Sequence, residues 1–187
     1  MIRKLLGPLV LKTFPDLYYF ISYWRADRRL LDKAAEMNKL FSDLIRDSFG
    51  LHCLQIGVRD KKYAPHWISV DLYDHSDFID YHYDIENLQF ENGIFDLIVC
   101  NAILEHVENP YTAVSEMYRV LKTSGHIWVE VPFNQPFHPS PEDHWRTTLS
   151  GLRIWMKAFH ECSSGFFRIN NSRIYNGFFF YGEKRPQ

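Results

Sequence analysis

No stretch of this 187-residue sequence reaches 18 apolar residues in a row, so none reads as a membrane-spanning helix. No run of Lys and Arg reaches five, and 23 acidic residues outweigh 21 basic ones. The basic footprint of a general nucleic-acid binder is therefore missing, and no nucleic-acid partner is expected. Cysteine is scarce: Cys53, Cys100 and Cys162 fit no zinc spacing, and an odd number argues against a complete disulfide framework. Cys53 and Cys100 sit in apolar runs, where a free thiol acts as a small hydrophobe. A reducing, cytoplasmic setting follows as the simplest expectation. The G-x-G-x-x-G of nicotinamide-dinucleotide sites is absent, which makes an oxidoreductase a distant reading. Repeats, low-complexity segments and linkers are also missing. A single domain over 1–187 is expected, with a helical extension at 1–49 and a core at 50–187.

What is present is an apolar fraction of 46% and an aromatic fraction of 17%, enough for a sizeable core. The start, MIRKLLGPLVLKTFPDLYYF, has early cations and a short apolar run. Lys12 interrupts it and no small-residue cleavage site follows, so it resembles a signal peptide only weakly. Pro8 and Pro15 break any long helix there. The expectation for 1–25 is short helical pieces or turns packing on the domain, with peripheral membrane contact as the secondary reading. From Ala26 to Phe49 the apolar residues recur at helical steps through Leu30, Ala34, Met37, Phe41, Leu44 and Ser48, with Asp27 as a cap and Gly50 as the stop.

The organising stretch is Asp84 to Pro132. It predicts a turn at Glu91-Asn92-Gly93 and a doubly buried strand over Phe95–Cys100. A helix capped by Asn109 with Pro110 at its first position follows, then a stop at Gly125 and a strand over Ile127–Val131. That is a βαβ unit. Upstream, Leu51–Ile56 and Trp67–Val70 read as strands ending in Gly57 and Asp71. The KKYAPH connection between them leaves room for a loop or a single helical turn. Tyr81–Ile85 reads as an edge-like strand. Downstream come a proline-rich loop over Phe133–Trp145, a helix from Thr147 or Thr148 to about His160, and two aromatic strands near Phe166–Ile169 and Phe178–Tyr181 that pair antiparallel.

Open α/β sheets bind ligands beyond the carboxyl ends of their strands. Asp71 sits at such an end, where a carboxylate can accept both hydroxyls of a ribose; it could equally cap a helix. Asp84, with Ile85 beside it, could take an exocyclic amine while the aliphatic packs on the ring, or be a solvated acid. Asn101, Glu105 and His106 follow the buried strand; His106 could orient a substrate or fill a helix start. The loop HPSPEDHW offers His138, Glu142, Asp143 and His144 over the same crevice, with His138 or His144 as a base. The contrasting reading is that Asp143 and Arg146 pair to lock the loop while Trp145 enters the core. No diagnostic metal-ligand set stands out, and no metal is expected.

The combination FDLIVCNAILEHVENP…MYRVLKTSGHIWVEVP resembles the second half of class I S-adenosylmethionine-dependent methyltransferases of the type 11-like group, and the resemblance spans roughly Leu51 to Trp155. It implies an α/β Rossmann-like fold, with a mostly parallel seven-stranded sheet flanked by helices and an antiparallel C-terminal strand pair. It also implies S-adenosyl-L-methionine as cofactor. By the same resemblance Gln55 and Gly57 lie under the methionine part, and Asp71 with Leu72 takes the ribose. Asp84 and Ile85 hold the adenine, and Asn101 and His106 stand near the methionine end. Two departures occur in the first motif, where Gln55 replaces an acid and Arg59 replaces the second glycine. The brief connection with Tyr63, and Pro132-Phe133, His138-Pro139, Pro141, Asp143, Trp145-Arg146, Thr148 and Gly151-Leu152, are similar to a subgroup associated with cell-surface polysaccharide biosynthesis. The expected activity is methyl transfer to a small-molecule or sugar acceptor, with His138, His144 and Asp143 as candidate catalytic residues. A catalytically inactive binding or assembly module of the same fold is the alternative, motivated by Gln55 and Arg59.

Overall fold

The computed structural model describes Thr13, Leu17, residues 31–167 and residues 177–186. Apart from those two isolated positions, the readings for 1–25, those for Asp27 and Leu30, and the part of the strand expected near Phe166–Ile169 that falls beyond Phe167, lie outside the described residues. The elements in order are α1 (Leu31–Arg46), β1 (Cys53–Ile56), β2 (Ile68–Val70), a 3-10 turn (Ile85–Asn87), β3 (Phe95–Asn101), α2 (Pro110–Val120), β4 (Leu121–Pro132), α3 (Leu149–Trp155), β5 (His160–Phe167) and β6 (Gly177–Glu183). The strands form one sheet in the order β2-β1-β3-β4-β6-β5. The first four are parallel, and β6 runs antiparallel between β4 and β5. This is the expected Rossmann-like arrangement with its closing antiparallel pair.

The described residues form six strands rather than seven. Tyr81–Ile85 contributes a single parallel bridge, Val70 to Tyr81. It does not extend because Asp84 Oδ1 accepts from the Glu86 N–H at 2.8 Å and caps the 3-10 turn. Side chains alternate across each strand. Leu54, Ile56, Ile98, Cys100, Ile127 and Val129 face α2 and α3, burying Ala113, Met117, Val120, Leu152 and Met156. Cys53, Leu97, Val99 and Trp128 face the other way, against Met37, Phe41 and Leu44 of α1. The sheet is thus sandwiched, and α1 is its brace on one side. Among the described residues no helix is long and apolar enough to cross a membrane.

The caps follow the local chemistry. Asn109 Oδ1 accepts from Thr112 N at 3.2 Å, with Pro110 at the first helical position. Thr148 Oγ1 accepts from Gly151 N at 3.2 Å and opens α3. That helix ends at Trp155, well before His160, because His160 already belongs to β5. Gly125 does not stop α2. The helix closes at Leu121, and β4 starts there; Ser124, not Gly125, takes the left-handed backbone at φ 64°.

Candidate functional site

The sheet order reverses at β1: the chain leaves β1 towards β2 on one side and returns to β3 on the other. Such a switch point opens a crevice beyond the strand ends. A cleft of about 1590 Å³ lies there, larger than the roughly 300–1,000 Å³ of a site for one small ligand. Gln55, Gly57, Asp71, Leu72, Asp84, Ile85, Asn101, His106 and His138 all line it. These residues come from the ends of β1, β2 and β3, the turn at 84–87 and the loop after β4, so the fold gathers in one place what the sequence scatters over 84 positions (55 to 138).

Gly57 turns the chain at the end of β1 with φ 77°, and its N–H donates to Val70 O at 3.0 Å. A Cβ on it would stand 2.4 Å from Ile103 Cγ1. Glycine is therefore needed both for the backbone angle and for the close pass of the loop after β3. The following loop, which has no helix, is tied by Gln55. Although buried at 2% exposure, Gln55 uses both ends of its amide: Oε1 accepts from Tyr63 N at 2.9 Å, and Nε2 donates to Lys61 O at 3.4 Å. Lys62 pairs with Asp80 at 2.5 Å. Arg59 is exposed and also lines the cleft.

Asp71 Oδ1 accepts from the N–H groups of Tyr73 and Asp74 at 3.0 and 2.9 Å. That fixes the carboxylate at the mouth and leaves Oδ2 with its lone pairs. Leu72 and Ile85 supply apolar surface, Ile85 being buried. At the end of β3, the Asn101 amide donates to the Tyr63 hydroxyl at 2.5 Å, while its Oδ1 is buried without a partner. Burial, followed by the charge of Glu130, pushes the Tyr63 hydroxyl above its usual range. Burial likewise raises Glu130, whose Oε1 accepts from Trp128 Nε1 at 2.8 Å. Glu130 lines the cleft and went unnoticed in the sequence. Its signal was a lone acid inside the apolar run Trp128-Val129-Glu130-Val131.

The proline-rich loop after β4 folds over the cleft and docks on the segment after β3. The backbone N–H groups of His144 and Trp145 both donate to Glu105 O, at 2.7 and 3.2 Å, and Trp145 Nε1 donates to Val107 O at 2.8 Å. Trp145 is exposed at 41% and does not enter the core; its indole is a latch instead. Arg146 pairs with both oxygens of Asp143, whose side chain is 1% exposed. The Arg146 guanidinium holds the Asp143 carboxyl well below the usual carboxylate range. Asp143 is thus committed to the loop, and His144 is exposed and outside the cleft lining. Of the three candidate catalytic residues, His138 is the one brought to the cleft.

His138 meets a residue whose importance the sequence concealed. Glu105 is 1% exposed, and neither carboxylate oxygen has a hydrogen-bond partner beyond the approach of its own backbone N–H. Burial pushes its carboxyl up to about 8, with Arg146 opposing and Asp143 adding to the rise. His106 Nε2 and His138 Nε2 stand 3.6 and 3.9 Å from Glu105 Oε1, and the two rings lie edge to face at 5.2 Å.

The sequence profile of a family described as "Methyltransferase domain" matches residues 61–129. By sequence search, no curated protein matches the chain. Among solved structures, the chain is similar to 1,6-didemethyltoxoflavin-N1-methyltransferase of Burkholderia thailandensis, solved with 1,6-didemethyltoxoflavin and S-adenosylhomocysteine. The TM-score is 0.63 at 14% identity, covering 89% of this chain and 86% of that one. It is also similar to the N-methyltransferase NodS of Bradyrhizobium japonicum WM9, with a TM-score of 0.61 at 18% identity, covering 81% and 96%. The cyclase SpnF gives a TM-score of 0.59 at 12% identity, covering 79% and 80%. At these identities what is shared is the fold: the chain has the Rossmann-like α/β fold of S-adenosylmethionine-dependent methyltransferases. SpnF carries that fold under the name of a different reaction, so the function has to be argued from the site.

Proposed function

We propose that this chain is an S-adenosylmethionine-dependent methyltransferase, acting in the cytoplasm on a small-molecule or sugar acceptor. One observation carries the reading: Gly57, Asp71, Asp84-Ile85 and Asn101, from successive strand ends, line a single cleft with room for a nucleoside-sized cofactor and a second ligand. The donor set fits the cofactor part by part. Asp71 Oδ2 accepts the ribose hydroxyls. Leu72 and Ile85 pack on the adenine, whose exocyclic amine meets Asp84. The orphaned Asn101 Oδ1 takes an N–H of the methionine ammonium, which removes the cost of leaving it buried and unpaired. Gln55, whose amide is occupied by the loop, acts by shaping the turn around Gly57.

When bound, S-adenosylmethionine supplies an electrophilic methyl on a sulfonium, transferred by in-line displacement. The protein contributes position and exclusion of water. The acceptor half is the part of the cleft lined by His106 and His138, with Glu105 buried behind them. The proline-rich loop closes over it, held by the Asp143–Arg146 pair and the Trp145 latch. The pattern from Pro132 to Leu152 supports the polysaccharide-linked subgroup, and hence a sugar acceptor.

The test is calorimetric titration with S-adenosylhomocysteine. Binding is expected for the unaltered chain, with a loss of about tenfold or more in Asp71→Ala, the cost of a charge-assisted hydrogen bond. Absence of binding at millimolar ligand overturns the reading. Binding with no turnover on a glycan and metabolite panel would instead favour a non-catalytic module.

A further inference from the structure

The acceptor half contains an arrangement that methyl transfer does not require. Glu105, His106 and His138 bring one ligand atom each within 4.8 Å of one another. Among the described residues no other group of three His, Cys, Asp or Glu side chains converges in this way. Glu105 is 99% enclosed by the standard of its 1% exposure, and both carboxylate oxygens are unpartnered. Its contacts with the histidines, at 3.6 and 3.9 Å, are too long for hydrogen bonds. They are close to the separation of about 3.4 Å between two ligands on arms of roughly 2.0–2.2 Å around a tetrahedral ion.

The second nitrogen of each ring is already spoken for. His106 Nδ1 donates to Glu142 O, and His138 Nδ1 stands 2.9 Å from Pro136 O. A carbonyl only accepts, so the tautomer that satisfies it in each ring carries the proton on Nδ1 and presents the Nε2 lone pair to Glu105. Arg146 Nη2 also comes within 3.1 Å of His138 Nδ1, but it is drawn to Asp143 Oδ2 at 2.6 Å and Pro136 O at 3.1 Å. Backbone carbonyls orienting the far nitrogen are the usual support for metal-bound histidines. The charges agree as well: Arg146 is held by Asp143 and acts on Glu105 only from a distance, making no hydrogen bond to either of its carboxyl oxygens.

We propose that Glu105, His106 and His138 form a binding site for one divalent first-row transition cation, with its open position facing the cleft. Two imidazoles and one carboxylate select the zinc-like, borderline class over magnesium or calcium. His138, the most exposed of the three at 39% of its side chain, lies at the open side. Resting on the methyltransferase reading above, the cation would bind the acceptor through an oxygen atom, so the acceptor class is one that offers a hydroxyl or carboxylate ligand. His138 is then a ligand rather than a free base.

The experiment is a titration of the chelator-treated full chain with Co2+, followed by visible absorption and by calorimetry, with no cofactor present. One Co2+ per chain is expected, with the intense visible bands of a low-coordinate site. Glu105→Gln and His138→Ala should each weaken binding by at least about tenfold, whereas His160→Ala, an exposed histidine outside the cleft, should not. Circular dichroism of Glu105→Gln, a near-isosteric change, checks that loss of binding is not loss of fold. Failure to bind Co2+ stoichiometrically, or binding unaffected by both variants, overturns the proposal. The two readings separate cleanly: S-adenosylhomocysteine binding to the metal-free chain with no Co2+ site sinks only the cation, and a Co2+ site without S-adenosylhomocysteine binding sinks only the methyltransferase.

Discussion

Two loops cross the mouth of the cleft, and they are built on opposite principles. The one after β1 closes its polar groups on itself. Gln55 spends both ends of its amide on Lys61 and Tyr63, Lys62 pairs with Asp80, and Asp80 in turn accepts from Ser69. The loop after β4 is just as firmly fastened, through Asp143–Arg146 and the Trp145 latch. Yet it delivers His138 to a carboxylate left without partners. A loop whose hydrogen bonds are all satisfied can offer a ligand shape and backbone. A loop that leaves lone pairs converging can offer chemistry, and it carries the cost of holding them buried until a ligand arrives.

The largest break in this comparison should come at the fastening of the second loop. Arg146→Ala strands the nearly enclosed Asp143 carboxylate and is expected to cost about 3 kcal/mol in chemical denaturation, the lower end for a broken buried pair because Arg146 is itself partly exposed. Asp143 has a depressed folded value, so its contribution is present above the unfolded value near pH 4 and is lost as the pH falls further. An acid limb of the stability profile that survives unchanged in Arg146→Ala would contradict this.

The next effect belongs to Glu105. Its folded value is raised from 4.5 to about 8. The folded chain therefore holds more protons than the unfolded one between those values, and stability must fall as pH rises through that interval. In cation-stripped protein the fall should be roughly 2–4 kcal/mol, and Glu105→Gln should flatten it. A flat profile in the unaltered chain would show that the carboxylate finds compensation elsewhere.

The smallest effect sharpens the contrast from the other side. Gln55→Glu introduces the acid that the first-motif resemblance would place there. Here it replaces the donor to Lys61 O with an acceptor, so the change should destabilise the loop by about 1–2 kcal/mol without tightening S-adenosylhomocysteine binding. Tighter binding would mean that the buried amide, not the loop, limits the cofactor half.

What the sequence disclosed and what it withheld divide along a physical line. Local chemistry was legible: the Asn109 cap with Pro110, a cap at Thr147 or Thr148 that proves to be Thr148, the doubly buried β3, a link from β1 to β2 too short for a full helix, and the closing antiparallel pair. These depend on neighbours a few residues away. The start of β4 was not legible, because Ser124 adopts a backbone angle that glycine was expected to take, and Gly125 only follows inside the strand. The edge strand at 81–85 was lost to the Asp84 cap, which competes with pairing at the same residues. The candidate cofactor residues could be assembled on one cleft from strand order alone. Glu105 could not, since its isolation is a property of the fold: only when 133–146 folds back onto 105–107 does a surface-looking acid become an enclosed one. Trp145 was misread for a related reason. The contrasting reading put it in the core, but the Val107 carbonyl, reachable only in the folded chain, holds it at the rim.

The placement of β6 bears on how the molecule is assembled. It follows every other described strand in sequence, yet it lies inside the sheet, bonded to β4 on one side and β5 on the other. Lys184, just past its end, reaches back to the carbonyls of Tyr118 and Leu121 at the close of α2. Until that segment arrives, β4 waits with an open row of amides and carbonyls, and β5 has nothing in this sheet to pair with. Shortening the chain by this one strand would split the sheet rather than trim its border, leaving the apolar strand under the cleft as an adhesive edge.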